Sequence, residues 1–336
     1  MKAKLFLLLV LGAALILSGC AQEKQVTPVE QETPAAEETK ATPEEIHVTI
    51  LTGGAAGTYY PIGGAMANVI NEHVKGVKAT AVTSGASVAN ARKIGNGEAE
   101  LALLQNDIAY YAYTGTEMFK DNKIENIRGV ATLYPEVVQI VTLKDKGIKT
   151  IYDLKGKRVA VGAPGSGTAV AALQILGTVG IDESNTDIRY LNFKEVADAL
   201  KDGTIDAGFI VAGVPTAAVS DIAAVKDVQI VEIPDEIFQK LSEQYKFYIQ
   251  YTIPAGSYKG VDEDVKSVAV LAMLATREDM PEDVIYEITK AIFEHRDELV
   301  AAHKRAEDIT LETALDGMSI PLHPGAEKYY KEKGLI

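Results

Sequence analysis

From residue 46 onward the chain alternates short apolar, β-branched runs with amphipathic stretches. Most of the β-prone runs end in a cluster of small residues. Ile46 to Leu51 alternates as a strand does and is followed by Thr52-Gly53-Gly54-Ala55-Ala56-Gly57-Thr58-Tyr59-Tyr60. Pro61 to Glu72 then places Ile62, Met66, Val69 and Ile70 at helical spacing. Val77 to Val82 predicts a second strand, closed by Thr83-Ser84-Gly85-Ala86-Ser87. Val88 to Ile94 predicts a short helix, stopped by Gly95-Asn96-Gly97. Ala99 to Leu104 predicts a third strand, and Gln105-Asn106-Asp107 opens the next helix.

The same order returns from Arg158. A strand runs to Val161, then Gly162-Ala163-Pro164-Gly165-Ser166-Gly167-Thr168 leads into a helix ending near Leu176. Asp187 to Leu191 predicts a strand, and Asn192-Phe193-Lys194-Glu195 opens a helix to Leu200, stopped by Lys201-Asp202-Gly203. Ile205 to Val211 predicts the third strand, before Ala212-Gly213-Val214-Pro215-Thr216. Gly97-Glu98-Ala99-Glu100-Leu101-Ala102 matches Gly203-Thr204-Ile205-Asp206-Ala207-Gly208, at a similar distance from each glycine loop. Two βαβαβ units of this kind predict two α/β lobes, each with a mostly parallel sheet and helices on both faces. In such sheets ligands bind beyond the carboxyl ends of the strands, where all these loops lie. Facing lobes would enclose a central cleft about a hinge; a rigid two-domain enzyme is the alternative.

Ile127 to Thr142 is predicted to cross from the first lobe to the second, and Phe247 to Tyr258 to cross back. Pro281 to Ala302 predicts one long helix with Val284, Ile285, Ile288, Ile292 and Leu299 as its buried stripe. The expected first lobe is therefore residues 44–135 plus 252–336, and the second 136–251.

The N-terminus has a separate pattern. Lys2 and Lys4 precede an apolar run from Leu5 to Leu17, short for a membrane span and suited to a signal peptide over residues 1–19. Leu17-Ser18-Gly19-Cys20 resembles a lipobox, so cleavage before Cys20 and lipidation there are expected. A lipid at Cys20 would anchor an extracytoplasmic protein at the periplasm or cell surface. Residues 20–43 are rich in Glu, Thr, Pro and Ala and read as a disordered tether, its ends roughly 25 Å apart. Cys20 is the only cysteine, so no disulfide forms within one chain. The formal charge of −14 disfavours nucleic acid as a partner.

The glycine loops aim backbone N–H groups and helix N-termini at whatever faces them. Gly162 and Gly167 have the spacing of a phosphate loop, but Thr168 stands where its lysine belongs. Thr52 likewise replaces the first glycine of a dinucleotide fingerprint. The cleft loops hold no arginine and a single lysine, Lys194. An anion would rest on backbone N–H groups and on the hydroxyls of Thr58, Thr83, Ser84, Ser166, Thr168 and Thr216. The alternative for each hydroxyl is helix capping. Gln105 can meet an amine or a carbonyl, and Tyr59 can cap a ligand with its ring or pack into the lobe core. Gly54, Gly57, Gly167, Gly213 and Pro215 complete the expected ligand contacts. No cofactor, metal or catalytic residue is expected. His47, His73, His295, His303 and His323 all fall outside the cleft loops, and no metalloprotease, nucleophile-elbow or cysteine–histidine pattern is present. A hydrolase using Ser166, or a ligand sensor for a signalling partner, are the rival functions.

Several stretches together resemble the TAXI family, the extracytoplasmic solute receptors of one branch of TRAP transporters. They are Gly57 to Gly64, Tyr134-Pro135-Glu136, Gly162 to Thr168, Val211 to Thr216, Ile253 to Tyr258 and Pro321 to Ala326. The resemblance runs from about residue 46 to the end. It implies the type II periplasmic-binding-protein fold, an ion-driven membrane permease as partner, and a small carboxylate or amino acid as ligand, such as glutamate, glutamine or 2-oxoglutarate. Ala86 departs from the pattern, because relatives often carry two adjacent glycines there.

Overall fold

The computed structural model describes residues 45–336. The expected signal peptide, Cys20 and the tether lie outside them. The first unit comprises β1 (Ile46–Leu51), α1 (Tyr59–His73), β2 (Val77–Val82), α2 (Ser87–Gly95), β3 (Leu101–Gln105) and α3 (Asn106–Thr114). A long strand, β4 (Ile127–Leu143), follows. The second unit comprises β5 (Arg158–Ala160), α4 (Gly167–Thr178), β6 (Asp187–Arg189), α5 (Phe193–Lys201), β7 (Ala207–Ala212), α6 (Ala217–Val225), β8 (Val228–Val231), α7 (Asp235–Gln244) and β9 (Ile249–Ile253). A second long strand, β10 (Val265–Arg277), precedes α8 (Glu282–Glu294), α9 (Arg296–Ala302) and α10 (Pro324–Glu332).

Each lobe holds three parallel strands, in the order β2-β1-β3 in one and β7-β5-β6 in the other. Antiparallel β10 and β4 lie between the two sets and join them into one ten-stranded mixed sheet. This is the type II periplasmic-binding-protein fold, built on a shared sheet rather than on two separate ones. Continuity arises because β4 and β10 are long and apolar enough to be buried on both faces across both lobes. The return crossing falls at β10, not at Phe247–Tyr258. Ile253 and Tyr258 pack into the second lobe, and β9 merely flanks β10 there.

Helices cover both faces. In the first lobe α1, α8 and α10 pack on one side, and α2 and α3 on the other. In the second, α4 and α7 face α5 and α6 across the sheet. The stripe Val284, Ile285, Ile288, Ile292 and Leu299 is buried as expected, but the helix carrying it breaks at His295, which ends α8 and starts α9.

The repeat seen in the sequence is physical. Gly97 and Gly203 both take positive φ, 73° and 70°, and donate matching bonds to Ile94 and Leu200 as each helix stops. The matching acids act alike too. Glu100 accepts from the Thr49 amide at 2.8 Å, and Asp206 from the Arg158 amide at 3.0 Å, each tying its strand's start to the neighbouring strand. Paired guanidinium groups complete them, Arg277 on Glu100 and Arg158 on Asp206. The Arg158 pair holds the Asp206 carboxyl well below the usual range.

Candidate functional site

A cavity of about 670 Å³ lies between the lobes at the carboxyl ends of the strands. That is within the range of small-molecule pockets. Gly53 to Tyr59 follow β1, Thr83 to Ser87 follow β2, and Gln105 ends β3. From the other lobe come Ala163 and Ser166 to Thr168 after β5, Asn192 to Lys194 after β6, and Val211 and Ala212 at the end of β7. Glu136 of β4 reaches the cavity from between them.

The lobes touch around this space. Ala89 donates its amide to the Gly165 carbonyl at 3.1 Å, Ala218 to Ala56 at 3.2 Å, and the Thr58 hydroxyl to Gly213 at 3.4 Å. Two glycines permit the approach. A Cβ on Gly167 would lie 2.0 Å from Gln105 Oε1, and one on Gly57 would lie 3.2 Å from the Phe193 ring. Gly162 is needed for its own loop, with φ 104° and Thr168 only 2.8 Å from where a Cβ would stand. Ala86 adopts φ 64°, ψ −153°, a region suited to glycine. Its amide donates to Ser84 Oγ at 3.0 Å and its carbonyl accepts from Asn90 at 2.8 Å, which hold it there. The departure from the two-glycine pattern therefore changes the side chain and keeps the glycine backbone.

Gly54, Gly57, Thr58, Tyr59, Thr83, Ser84, Gln105, Ser166, Gly167 and Thr168 all line the cavity. Gly213, Pro215 and Thr216 do not. Gly213 sits beneath Arg305 and Thr58, and Pro215 follows a cis peptide. Thr216 Oγ1 donates to Gly213, accepts from Gln139 Nε2 at 2.9 Å, and belongs to a buried network with Tyr258. The remaining hydroxyls divide. Ser166 Oγ caps α4, accepting from the Ala169 amide at 3.1 Å while donating to Ala163 at 2.7 Å. Ser84 Oγ donates to Thr52 at 2.8 Å. Thr58 makes no cap for α1 and reaches the opposite lobe instead. Tyr59 packs in the first lobe's core and lines the cavity from there.

The Lys194 ammonium is drawn to Asp198 at 2.6 Å on its own helix. Glu136 lines the cavity although it was not among the expected residues. It is buried, and that burial raises its pKa to about 8, partly offset by the Gln105 and Tyr59 side chains beside it. The signal was present in the sequence. A carboxylate in the middle of a mostly apolar seventeen-residue strand needs a polar space to face. Pro135 precedes it, and the β4–β10 register shifts beside that proline, which has no N–H to give to the ladder. Two polar atoms nearby, Tyr59 Oη and Gln105 Oε1, are buried without a hydrogen-bond partner.

One group among the described residues has metal-ligand spacing. His73 and His295 stack at 3.4 Å and share Glu298 outside the cavity lining. No described helix is long and apolar enough to cross a membrane.

Residues 50–334 match the NMT1-like family, and the chain belongs to it. Among solved structures, a protein from Bordetella bronchiseptica RB50 shares the fold at TM-score 0.54; it is 16% identical over 88% of this chain and 100% of its own. The alkanesulfonate-binding protein SsuA from Xanthomonas axonopodis pv. citri, bound to MOPS, is 14% identical over 87% of this chain and 84% of its own, with TM-score 0.44. A putative L-cystine ABC transporter from Listeria monocytogenes is 17% identical over 78% and 94%, with TM-score 0.47.

Proposed function

We propose that the protein is an extracytoplasmic solute receptor that holds a small carboxylate or amino acid between its lobes and delivers it to a membrane permease. The observation that carries this reading is the interlobe cavity, lined by loops of both lobes and by the buried Glu136. Ligand binding favours a closed state by contacts that span both lobes, and Thr58 and Gly167 are placed to make them. In this reading residues 127–143 and 265–277 join two lobes that hinge about them. The receptor works with a TRAP-type permease of the TAXI branch, and its ligand is glutamate, glutamine or 2-oxoglutarate-like; these two points follow from the sequence resemblance. The Ser166 hydroxyl is engaged as a helix cap, which argues for binding over hydrolysis. Cys20 carries a lipid that tethers the folded part to a membrane. Cell fractionation of Cys20→Ser checks this, with release into the soluble fraction expected and continued membrane attachment contradicting it.

The receptor reading is tested by a thermal-shift screen against amino acids and carboxylates. A ligand at 100 times its Kd stabilises the folded state by about 2.7 kcal/mol. A screen in which no compound raises Tm removes the reading.

A further inference from the structure

We infer that the cavity floor is built for an ammonium group, so that the ligand is an amine-bearing acid rather than its 2-oxo or hydroxy counterpart. This rests on the receptor reading and narrows its ligand class. Glu136 of β4 lines the cavity together with Gln105, at the end of β3, and Tyr59 of α1, whose side chains lie beside its carboxyl. All three side chains are more than nine-tenths buried, and the Gln105 and Tyr59 side chains favour the charged form of Glu136. An ammonium offers three donors and a positive charge; a keto or hydroxyl oxygen offers at most one donor.

Among the described residues no cation pairs with Glu136. The charged and titratable groups around it are Tyr59 from α1, Tyr134 from its own strand, and Asp107 from α3, which raises its pKa further. Lys194 at the rim is paired with Asp198, and Arg305, which packs near Thr58, is paired with Asp308. The glycine loops and the start of α4 also line the cavity, and their backbone N–H groups suit a carboxylate. A zwitterion uses both these groups and the Glu136 carboxyl.

A proton balance follows. Empty, Glu136 has its pKa raised to about 8, so it is largely protonated at pH 7. An ammonium favours the carboxylate, so binding releases about one proton. Affinity for an amine-bearing ligand then rises with pH, approaching tenfold per unit below about pH 8, because less free protein holds the proton that must leave.

The test uses matched probes: the common amino acids and their 2-oxo counterparts, with L-glutamate against 2-oxoglutarate as the first pair. Thermal shift selects the binding pair. Titration calorimetry then measures it at pH 6, 7 and 8, in buffers of different ionisation enthalpy. At least tenfold preference for the amine, with about one proton released at pH 7, is expected. Glu136→Gln should abolish both the proton release and the pH dependence. A 2-oxo acid that binds as tightly as its amine, or amine binding without proton release in wild type, overturns the inference. If only amine-free compounds raise Tm, the receptor reading stands and this inference falls. If no compound does, both fall.

Discussion

The two glycine loops occupy equivalent places in the two lobes, yet they use their hydroxyls oppositely. In the second lobe Ser166 satisfies its own helix, accepting from Ala169. In the first, Thr58 leaves α1 without a side-chain cap and donates to Gly213 across the cleft. One loop is therefore finished before the lobes meet, and the other is completed by meeting. Matching sequence positions in a repeat do not imply matching work. A cap can be formed within one lobe, whereas a contact across the cleft depends on closure.

The hardest blow to this comparison comes at the contact itself. Gly167→Ala places a Cβ against Gln105 and wedges the lobes apart. Overpacking of about 1–3 kcal/mol predicts a 5- to 150-fold loss of affinity for the ligand found by thermal shift. Solution scattering should show a more open bound state, and Gly57→Ala, facing Phe193 at 3.2 Å, should do the same more weakly. Unchanged affinity and compactness in Gly167→Ala would mean the lobes do not need this approach.

Ala86→Gly sharpens the comparison by relieving a third loop. Its φ of 64° costs an alanine about 1 kcal/mol or more, so the glycine variant should have a Tm raised by at least about 2 °C. A lower Tm would show that the unfolded chain's extra freedom outweighs the strain.

The smallest effects separate the hydroxyls directly. Ser166→Ala should cost about 1 kcal/mol of stability through the lost cap and leave affinity within about twofold. Thr58→Val should leave Tm nearly unchanged and weaken binding by about 0.5–1 kcal/mol. Chemical denaturation and calorimetry on both variants decide this, and the reverse pattern would exchange the roles of the two loops.

Local signals made much of this molecule legible. The glycine loops, the repeated stops at Gly97 and Gly203, and the buried stripe of α8 all depend on residues close in sequence. What escaped depends on distant partners. Thr216 belongs to a network with Gln139 and Tyr258, which no spacing reveals. Gly213 is covered by Arg305, ninety-two residues on. The return crossing went to β10 because its apolar run fits between β3 and β4, a fact of the assembled sheet.

That last placement has a kinetic consequence. β3 is made early in synthesis, but the strand that covers its open edge is β10, with Gln105 opposite Ala272. A loop of this length closes late and at an entropic cost that local pairings avoid. The corresponding edge of the second lobe, β7, needs no such wait, since β4, which covers it, precedes it in the chain. The second lobe should therefore consolidate first, while β3 stays exposed as a sticky edge until the C-terminal strand arrives. In pulse-labelled hydrogen exchange during refolding, Phe209 should gain protection before Leu103. The reverse order would mean that the first lobe assembles without waiting for its last strand.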